Sequence, residues 1–261
     1  MTVSYADDLQ VALQLADAAD RLTMSRYRAS DLNVETKPDL TPVTESDKAV
    51  ELALRDLLAK LRPGDQIVGE EFGGTYASDD PGRVWVIDPI DGTKSYVRGM
   101  DTWTTLVALM QDGEVKVGVV SMPALTRRWW ATRGGGAFAD GRRIHVSKIS
   151  ELANAQLTWS GVEEWDAIGR FDALVGLARS CWRSRGVGDA WQYMLVAEGA
   201  AEIATDPEAT LWDLAAPSIV VQEAGGTFTG LNGVAGAAAG SGLATNGLLH
   251  QAALDYLGQP N

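Results

Sequence analysis

The stretch WVIDPIDGTKSY, residues 85–96, joins an apolar run to a pair of acids and then to a glycine. With Val84 in front, VWVID reads as a short buried strand ending in Asp88. Pro89 keeps Asp88 out of helical geometry, and Asp91, Gly92 and Thr93 follow where the backbone can turn freely. Two carboxylates at the end of one strand repel each other unless a cation or a proton separates them. Magnesium suits such a place, because it prefers hard oxygen ligands and keeps some of its waters. Asp, Pro and Gly also dominate turns, so this stretch alone reads equally well as a plain turn.

Outward from it, TTLVALM (104–110) and VKVGVVS (115–121) are two more strands around the turn QDGE, a hairpin. RWWAT and AFADGRRIHVS continue the β pattern to about residue 147. The glycine cluster GGGAF (134–138) opens no convincing helix and reads as a turn rather than a nucleotide loop. On the N-terminal side, residues 7–27 carry Leu9, Ala12, Leu13, Ala16 and Ala19 at helical spacing. The polar stretch DLNVETKPDLTPVTESD leads to a second helix starting near Thr44 to Ser46. Its buried stripe is Val50, Leu54, Leu57, Leu58 and Leu61, and Pro63-Gly64 stops it. The C-terminal half alternates: FDALVGLARSC and DAWQYMLVAEG are helical, AEIAT and TFTG are strand-like, and WDLAAPSIVVQEAGG is a helix with a glycine stop. GLATN and a helix through LLHQAALDYL close the chain. This order predicts an α+β or layered α/β/α/β fold, without the regular βαβ rhythm of a dinucleotide-binding domain.

The chain has 261 residues, 46% of them apolar, and a formal net charge of −13. That balance opposes binding to nucleic acid or to anionic membrane surfaces, both of which need dense Lys and Arg. No apolar run approaches the roughly 20 residues of a membrane span, and MTVSYADDLQ lacks the regions of a signal peptide. The single cysteine, Cys181, forms no internal disulfide and fits a reducing cytoplasm. Two histidines, His145 and His250, supply a zinc site or a Ser-His-Asp triad poorly.

Three other segments bring acids of the same kind. VGEEF (68–72) places Glu70 and Glu71 after an apolar pair, LWDLAAP (211–217) places Asp213 at a helix start, and TPVTESD (41–47) places Asp47 after a hydroxyl-rich loop. Each has an ordinary reading, as a solvated loop or as a helix N-cap. Together, VGEE, WVIDPIDGTKSY and WDLAAPSIVVQEAGG, in this order and spacing, resemble the inositol monophosphatase-like family of magnesium-dependent, lithium-sensitive phosphatases. Lys37, the TPVTESD loop and GGGAFADGRRIHVS fit the same resemblance.

The resemblance implies a layered α/β/α/β/α sandwich of the sugar-phosphatase type. An N-terminal subdomain (1–147) would carry most metal ligands, and a C-terminal one (148–261) would carry Asp213 and the substrate pocket. It implies two or three magnesium ions, with manganese as a possible substitute. Glu70, Asp88 and the carbonyl of Ile90 would hold one; Asp88, Asp91 and Asp213 would hold a second; a third, weaker ion would sit near Glu70. Such ions reverse the field of an acidic pocket that would otherwise reject a phosphate dianion, and a pair about 4 Å apart clamps an in-line displacement. Water would be the nucleophile, positioned or deprotonated by Glu70 and Thr93. Asp47 would hydrogen-bond Thr93, and the amides of Gly92 and Thr93 would hold the phosphate. The family analogy also implies a homodimer.

For the organic half of the substrate, inositol phosphatases carry Glu seven residues before the WD aspartate, and here that position is Asp206. Asp189 adds a second carboxylate, and Arg185 is the basic residue expected near the pocket. Two spare carboxylates suit an ammonium group. GDAWQY and the DP before WD resemble the branch of the family that hydrolyses L-histidinol phosphate. Trp103 and Trp191 would give aromatic contact to such a leaving group or simply fill the core. The alternatives are inositol 1-phosphate, a broad range of small phosphate esters, or a metal-binding module without turnover. VRGMDTW (97–103) has Asp101 where relatives often have proline, which bears on the loop shape near Trp103.

Overall fold

The computed structural model describes residues 5–37, 41–75 and 82–258. Residues 38–40 of the polar stretch before the second helix, and the extreme terminal residues, lie outside the described residues.

The centre is a seven-stranded sheet in spatial order β3-β4-β5-β6-β7-β8-β9, formed by Gln66–Gly69, Arg83–Asp91, Thr104–Gln111, Glu114–Met122, Arg127–Thr132, Gly136–Ala139 and Arg142–Arg143. Only the β3–β4 pair is parallel; the other pairs are antiparallel. Alternation along the strands splits their side chains between two cores. Trp85 and Ile87 face the same cluster as Val107 and Leu109, while Val84 and Val86 join Leu106, Ala108 and Met110 on the other side. In β6 the parity changes between Val115 and Val117, because the β5–β6 register shifts at Leu109/Met110. A bulge of this kind adds one residue and flips the following side chains across the sheet.

Helices α1 (Ala6–Arg26) and α2 (Glu45–Leu61) cover the outer face of this sheet through Leu15, Ala19, Leu54 and Leu58. A short ribbon, β1 (Val34–Thr36) with β2 (Pro42–Thr44), leads into α2. The other face receives α7 (Leu211–Glu223) and α6 (Asp189–Ala197). Gly118 on β6 lets α7 lie close, since a Cβ there would come within 2.5 Å of Ile219 Cγ2 and 2.7 Å of the Ala216 carbonyl. Below these helices lies a five-stranded sheet in the order β11-β10-β12-β14-β13. Its strands are Arg183–Gly186, Gln156–Trp159, Ile203–Asp206, Gly242–Thr245 and Thr227–Thr229. Its outer face is closed by α4 (Val162–Ala167), α5 (Phe171–Ser180) and α8 (His250–Leu257) through Trp165, Leu174, Leu177, Ala253 and Leu257. The result is the α/β/α/β/α sandwich.

Most expected elements stand within a residue or two of their places. The β pattern after Gly136 stops at Arg143 rather than continuing to 147. The short strands β1, β2, β3, β10 and β11, with α4 and the one-turn helix α3 (Thr93–Val97), are additions to the sequence-based layout. Asp101, in the position where relatives often have proline, has a partner of its own: its Oδ1 accepts from the Tyr27 hydroxyl at 2.8 Å and from Arg28 at 3.1 Å.

Candidate active site

β4 does not end at Asp88. It pairs with β5 as far as Asp91↔Thr104, with a register shift between Asp88 and Asp91. DPID is therefore a bulged strand end rather than a plain turn, and the bulge re-aims both carboxylates. Gly92 then takes φ +80°, and a Cβ there would sit 2.7 Å from Asp189 Oδ2. Glycine answers both the backbone angle and the close approach of α6. From Gly92 the chain enters α3, whose first N–H groups have no acceptor within the helix.

Two of the acids arrive through the same local device. Thr44 and Asp47 form a capping box at the start of α2, and Thr210 and Asp213 form one at the start of α7. In both, Oδ2 of the aspartate accepts from the threonine backbone N–H and hydroxyl: 2.8 and 2.6 Å for Asp47, 2.6 and 2.8 Å for Asp213. Such a box pins one oxygen and leaves the other for use elsewhere. Asp47 Oδ1 accepts from the Thr93 hydroxyl at 3.3 Å, which also lies 3.0 Å from the Ile90 carbonyl.

Asp88, Asp91 and Asp213 meet so closely that an oxygen from each lies within 4.8 Å of the others. Asp91 Oδ2 is held by the Thr104 hydroxyl and the Ala190 N–H, both at 2.8 Å. Asp88 Oδ1 is buried with no hydrogen-bond partner among the described residues. Burial, then the neighbouring Glu70, Asp91 and Asp213, push the Asp88 carboxyl well above the usual carboxylate range. Burial, followed by Asp189 and Asp213, does the same to Asp91. Buried, crowded and partly unpaired carboxylates are the donor set a hard divalent cation satisfies. These residues fit a metal.

Glu70 stands beside this triad. Lys37 Nζ pairs with Glu70 at 2.7 Å and with Glu71 at 2.6 Å. Burial acts to lower the lysine's pKa, but the two glutamates outweigh it and raise it. The Glu70 loop is pinned from below by Glu51, fully buried on α2, which accepts from the Glu71 N–H at 2.7 Å, the Phe72 N–H at 3.2 Å and Arg55 at 2.8 Å. Gly69 makes room, since a Cβ there would come within 2.1 Å of Glu51 Oε1.

A cavity of about 320 Å³ opens over the triad. Glu70, Asp88, Ile90, Asp91, Gly92, Thr93 and Asp213 line one end, and Asp189 and Asp206 line it with Glu164 and Glu208. Burial, then Glu164 and Asp213, raises Asp189 to about 6; burial raises Asp206 to about 7 against the pull of its hydrogen-bond donors.

Three expected pocket residues are not among those lining the cavity. Arg185 is exposed on the edge strand β11, where its guanidinium donates to the Ser184 carbonyl. Trp103 is fully buried in a cluster with Ile90, Tyr96 and Tyr27, its ring 4.9 Å from that of Tyr96. Trp191 is half-buried against the central core. Glu51, Thr104, Thr210, Glu164 and Glu208 went unremarked in the sequence. Two had a signal: Thr210 stands three residues before Asp213 in a capping-box pattern, and Glu51 interrupts the apolar stripe of α2.

A layered sandwich that gathers carboxylates at a bulged strand end and two helix starts defines a metal-dependent phosphomonoesterase. The chain belongs to the inositol monophosphatase family, whose model matches residues 5–259, and it is a phosphoric monoester hydrolase. Among its relatives, a histidinol-phosphatase from Mycobacterium tuberculosis is 54% identical over 256 residues, covering 96% of this chain and 98% of that protein. A histidinol-phosphatase from Streptomyces coelicolor is 52% identical, with 98% of each covered. Among solved structures, an IMPase from Thermotoga maritima superposes with a TM-score of 0.87 at 30% identity over 96% of both chains. An inositol monophosphatase from Zymomonas mobilis does so with a TM-score of 0.87 at 28% identity, covering 99% of this chain and 100% of that one. No helix among the described residues is long and apolar enough to cross a membrane.

Proposed function

We propose that this chain hydrolyses L-histidinol phosphate to L-histidinol and phosphate, with magnesium held by Glu70, Asp88, Asp91, Asp213 and the Ile90 carbonyl. The observation that carries the substrate choice is a single cavity with carboxylates at both ends. One end presents the crowded triad, which needs cations before it accepts a phosphate. The rest of the cavity presents Asp206, Glu164 and Glu208, with Asp189 next to Gly92 and Asp91; together they suit the positive nitrogens of an amino alcohol rather than a neutral sugar. The identities of 54% and 52% with histidinol-phosphatases support the same assignment.

When bound, the metal ions supply Lewis acidity toward the phosphate and make a bound water more acidic. The chain's own groups do the rest. The Thr93 hydroxyl donates toward Asp47 Oδ1 and the Ile90 carbonyl, which leaves the Thr93 oxygen free to accept from a water and orient it. Glu70 lies where it can receive that water's proton, while Lys37 balances Glu70 and Glu71. The N–H groups of Gly92 and Thr93 begin α3 and face the phosphate. Asp189 and Asp206 hold the leaving alcohol.

The same proposal includes two or three magnesium ions with manganese as a substitute, subdomains at 1–147 and 148–261, a homodimer and a cytoplasmic setting. The test is phosphate release from L-histidinol phosphate and from inositol 1-phosphate, side by side, with and without magnesium. The expected result is an absolute need for magnesium and a preference of about a hundredfold, or about 2.7 kcal/mol, for histidinol phosphate. A preference for inositol 1-phosphate would keep the metal site and remove the role of Asp189 and Asp206.

A further inference from the structure

Asp206 takes both of its donors from side chains, whereas Asp91 and Asp213 each take one of two from the backbone. It ends β12 and pairs across the ladder with Gly242 of β14. A Cβ at Gly242 would lie 2.1 Å from the Tyr193 hydroxyl. The space left by the missing side chain is therefore the space that hydroxyl occupies. From there Tyr193 Oη donates to Asp206 Oδ2 at 2.5 Å, and Gln192 Nε2 donates to the same oxygen at 2.6 Å. Tyr193 is 1% exposed and Gln192 fully buried. Gln192 Oε1 has no partner among the described residues, so the bond to Asp206 is what orients this amide.

Two donors on one oxygen fix the carboxylate's rotation, and the Ser160 hydroxyl, which also lines the cavity, stands by the same carboxyl and favours its charged form. Both donors are consecutive residues of α6, and the first turn of that helix also holds Asp91 through the Ala190 N–H. One helix thus sets a metal-facing acid with its backbone and a leaving-group acid with two side chains.

We propose that Gln192 and Tyr193 are positioning residues for substrate selection: they aim Asp206 at the cationic nitrogen of the leaving alcohol, and so set discrimination between amine-bearing and neutral phosphate esters. The proposal rests on Asp206 pairing with an ammonium group. Both act through Asp206, so the effect belongs in KM for one substrate class.

The experiment compares Tyr193→Phe, Gln192→Met and Asp206→Asn with the wild type in saturating magnesium. KM and kcat are read for L-histidinol phosphate and for glycerol 2-phosphate, and L-histidinol binding is read by calorimetry. Loss of one short, charge-assisted donor should raise KM for L-histidinol phosphate about tenfold and weaken L-histidinol binding in parallel. For Tyr193→Phe and Gln192→Met, the kcat for L-histidinol phosphate and the KM for glycerol 2-phosphate should stay within about twofold. Equal changes for both esters, or none for either, would mean that the two residues only fill the core. If Asp206→Asn raises KM for the amine ester while neither positioning variant does, the positioning role alone is overturned. If Asp206→Asn also leaves that KM unchanged, the ammonium pairing itself fails and takes this proposal with it. Should Tyr193→Phe not fold, Gln192→Met decides the question alone.

Discussion

At one end of the cavity Asp88, Asp91 and Asp213 crowd together, and one Asp88 oxygen finds no donor among the described residues. At the other end Asp206 receives two donors on a single oxygen from side chains that are almost wholly buried. Both ends bury acid, and burial raises the pKa at both. The difference lies at Asp88, whose unpartnered oxygen is left for a cation to complete, whereas Asp206, like Asp91 and Asp213, receives two donors on one oxygen.

The largest effect should come from Asp88→Asn, which removes the carboxylate proposed to serve both metal positions. Turnover should fall by about a thousandfold or more, at least 4 kcal/mol of transition-state stabilisation. In chelator the same variant should melt higher than the wild type, because it relieves repulsion among buried carboxylates. A lower melting temperature in chelator would break the contrast, since Asp88 would then need no cation.

A smaller effect is expected for Asp213→Asn, which keeps the Thr210 cap partly satisfied and weakens one metal position. Activity should drop by about ten- to a hundredfold at low magnesium, 1.4 kcal/mol per decade, and recover in part as magnesium is raised. No recovery at any concentration would remove Asp213 from the ligand set.

The last effect concerns pH. Burial holds Asp206 at about 7 in the folded chain, against an ordinary value of 3.8. An acid raised on folding favours the folded state fully below its unfolded pKa, and that contribution is lost as pH rises through the folded value. In chelator, the wild type should therefore lose melting temperature relative to Asp206→Asn between about pH 4 and 7. A flat difference across that window would show that the second end does not hold its acid up.

The metal end was legible because its residues lie in short blocks whose order and spacing are distinctive: GEE, DPIDGT and WD. The capping boxes that place Asp47 and Asp213 also had a local signal, a threonine three residues before each aspartate, which reading Asp213 as an N-cap left unused. The leaving-group end was legible only in part. Asp189 and Asp206 line the cavity as expected, but the aromatic and basic partners expected beside them do not. Trp103 sits under the DPIDG bulge instead, where Tyr27, just past the end of α1, and Tyr96 from α3 close around it. Arg185 follows the edge strand β11 into solvent. Neither outcome is visible locally, because each depends on what a distant segment packs against.

By itself the sequence determined the order of helices and strands, the strand that leads into Asp88, the hairpin around QDGE and the set of acids that could share cations. Hydrophobic period and turn chemistry act over a few residues, so they can be read along the chain. Only the tertiary structure decided the bulge that extends β4 to Asp91, the parity change in β6, and the use of Gly242 as room for the Tyr193 hydroxyl. Each of those depends on pairing between strands or helices far apart in sequence, where a one-residue shift in register moves a side chain from one face to the other.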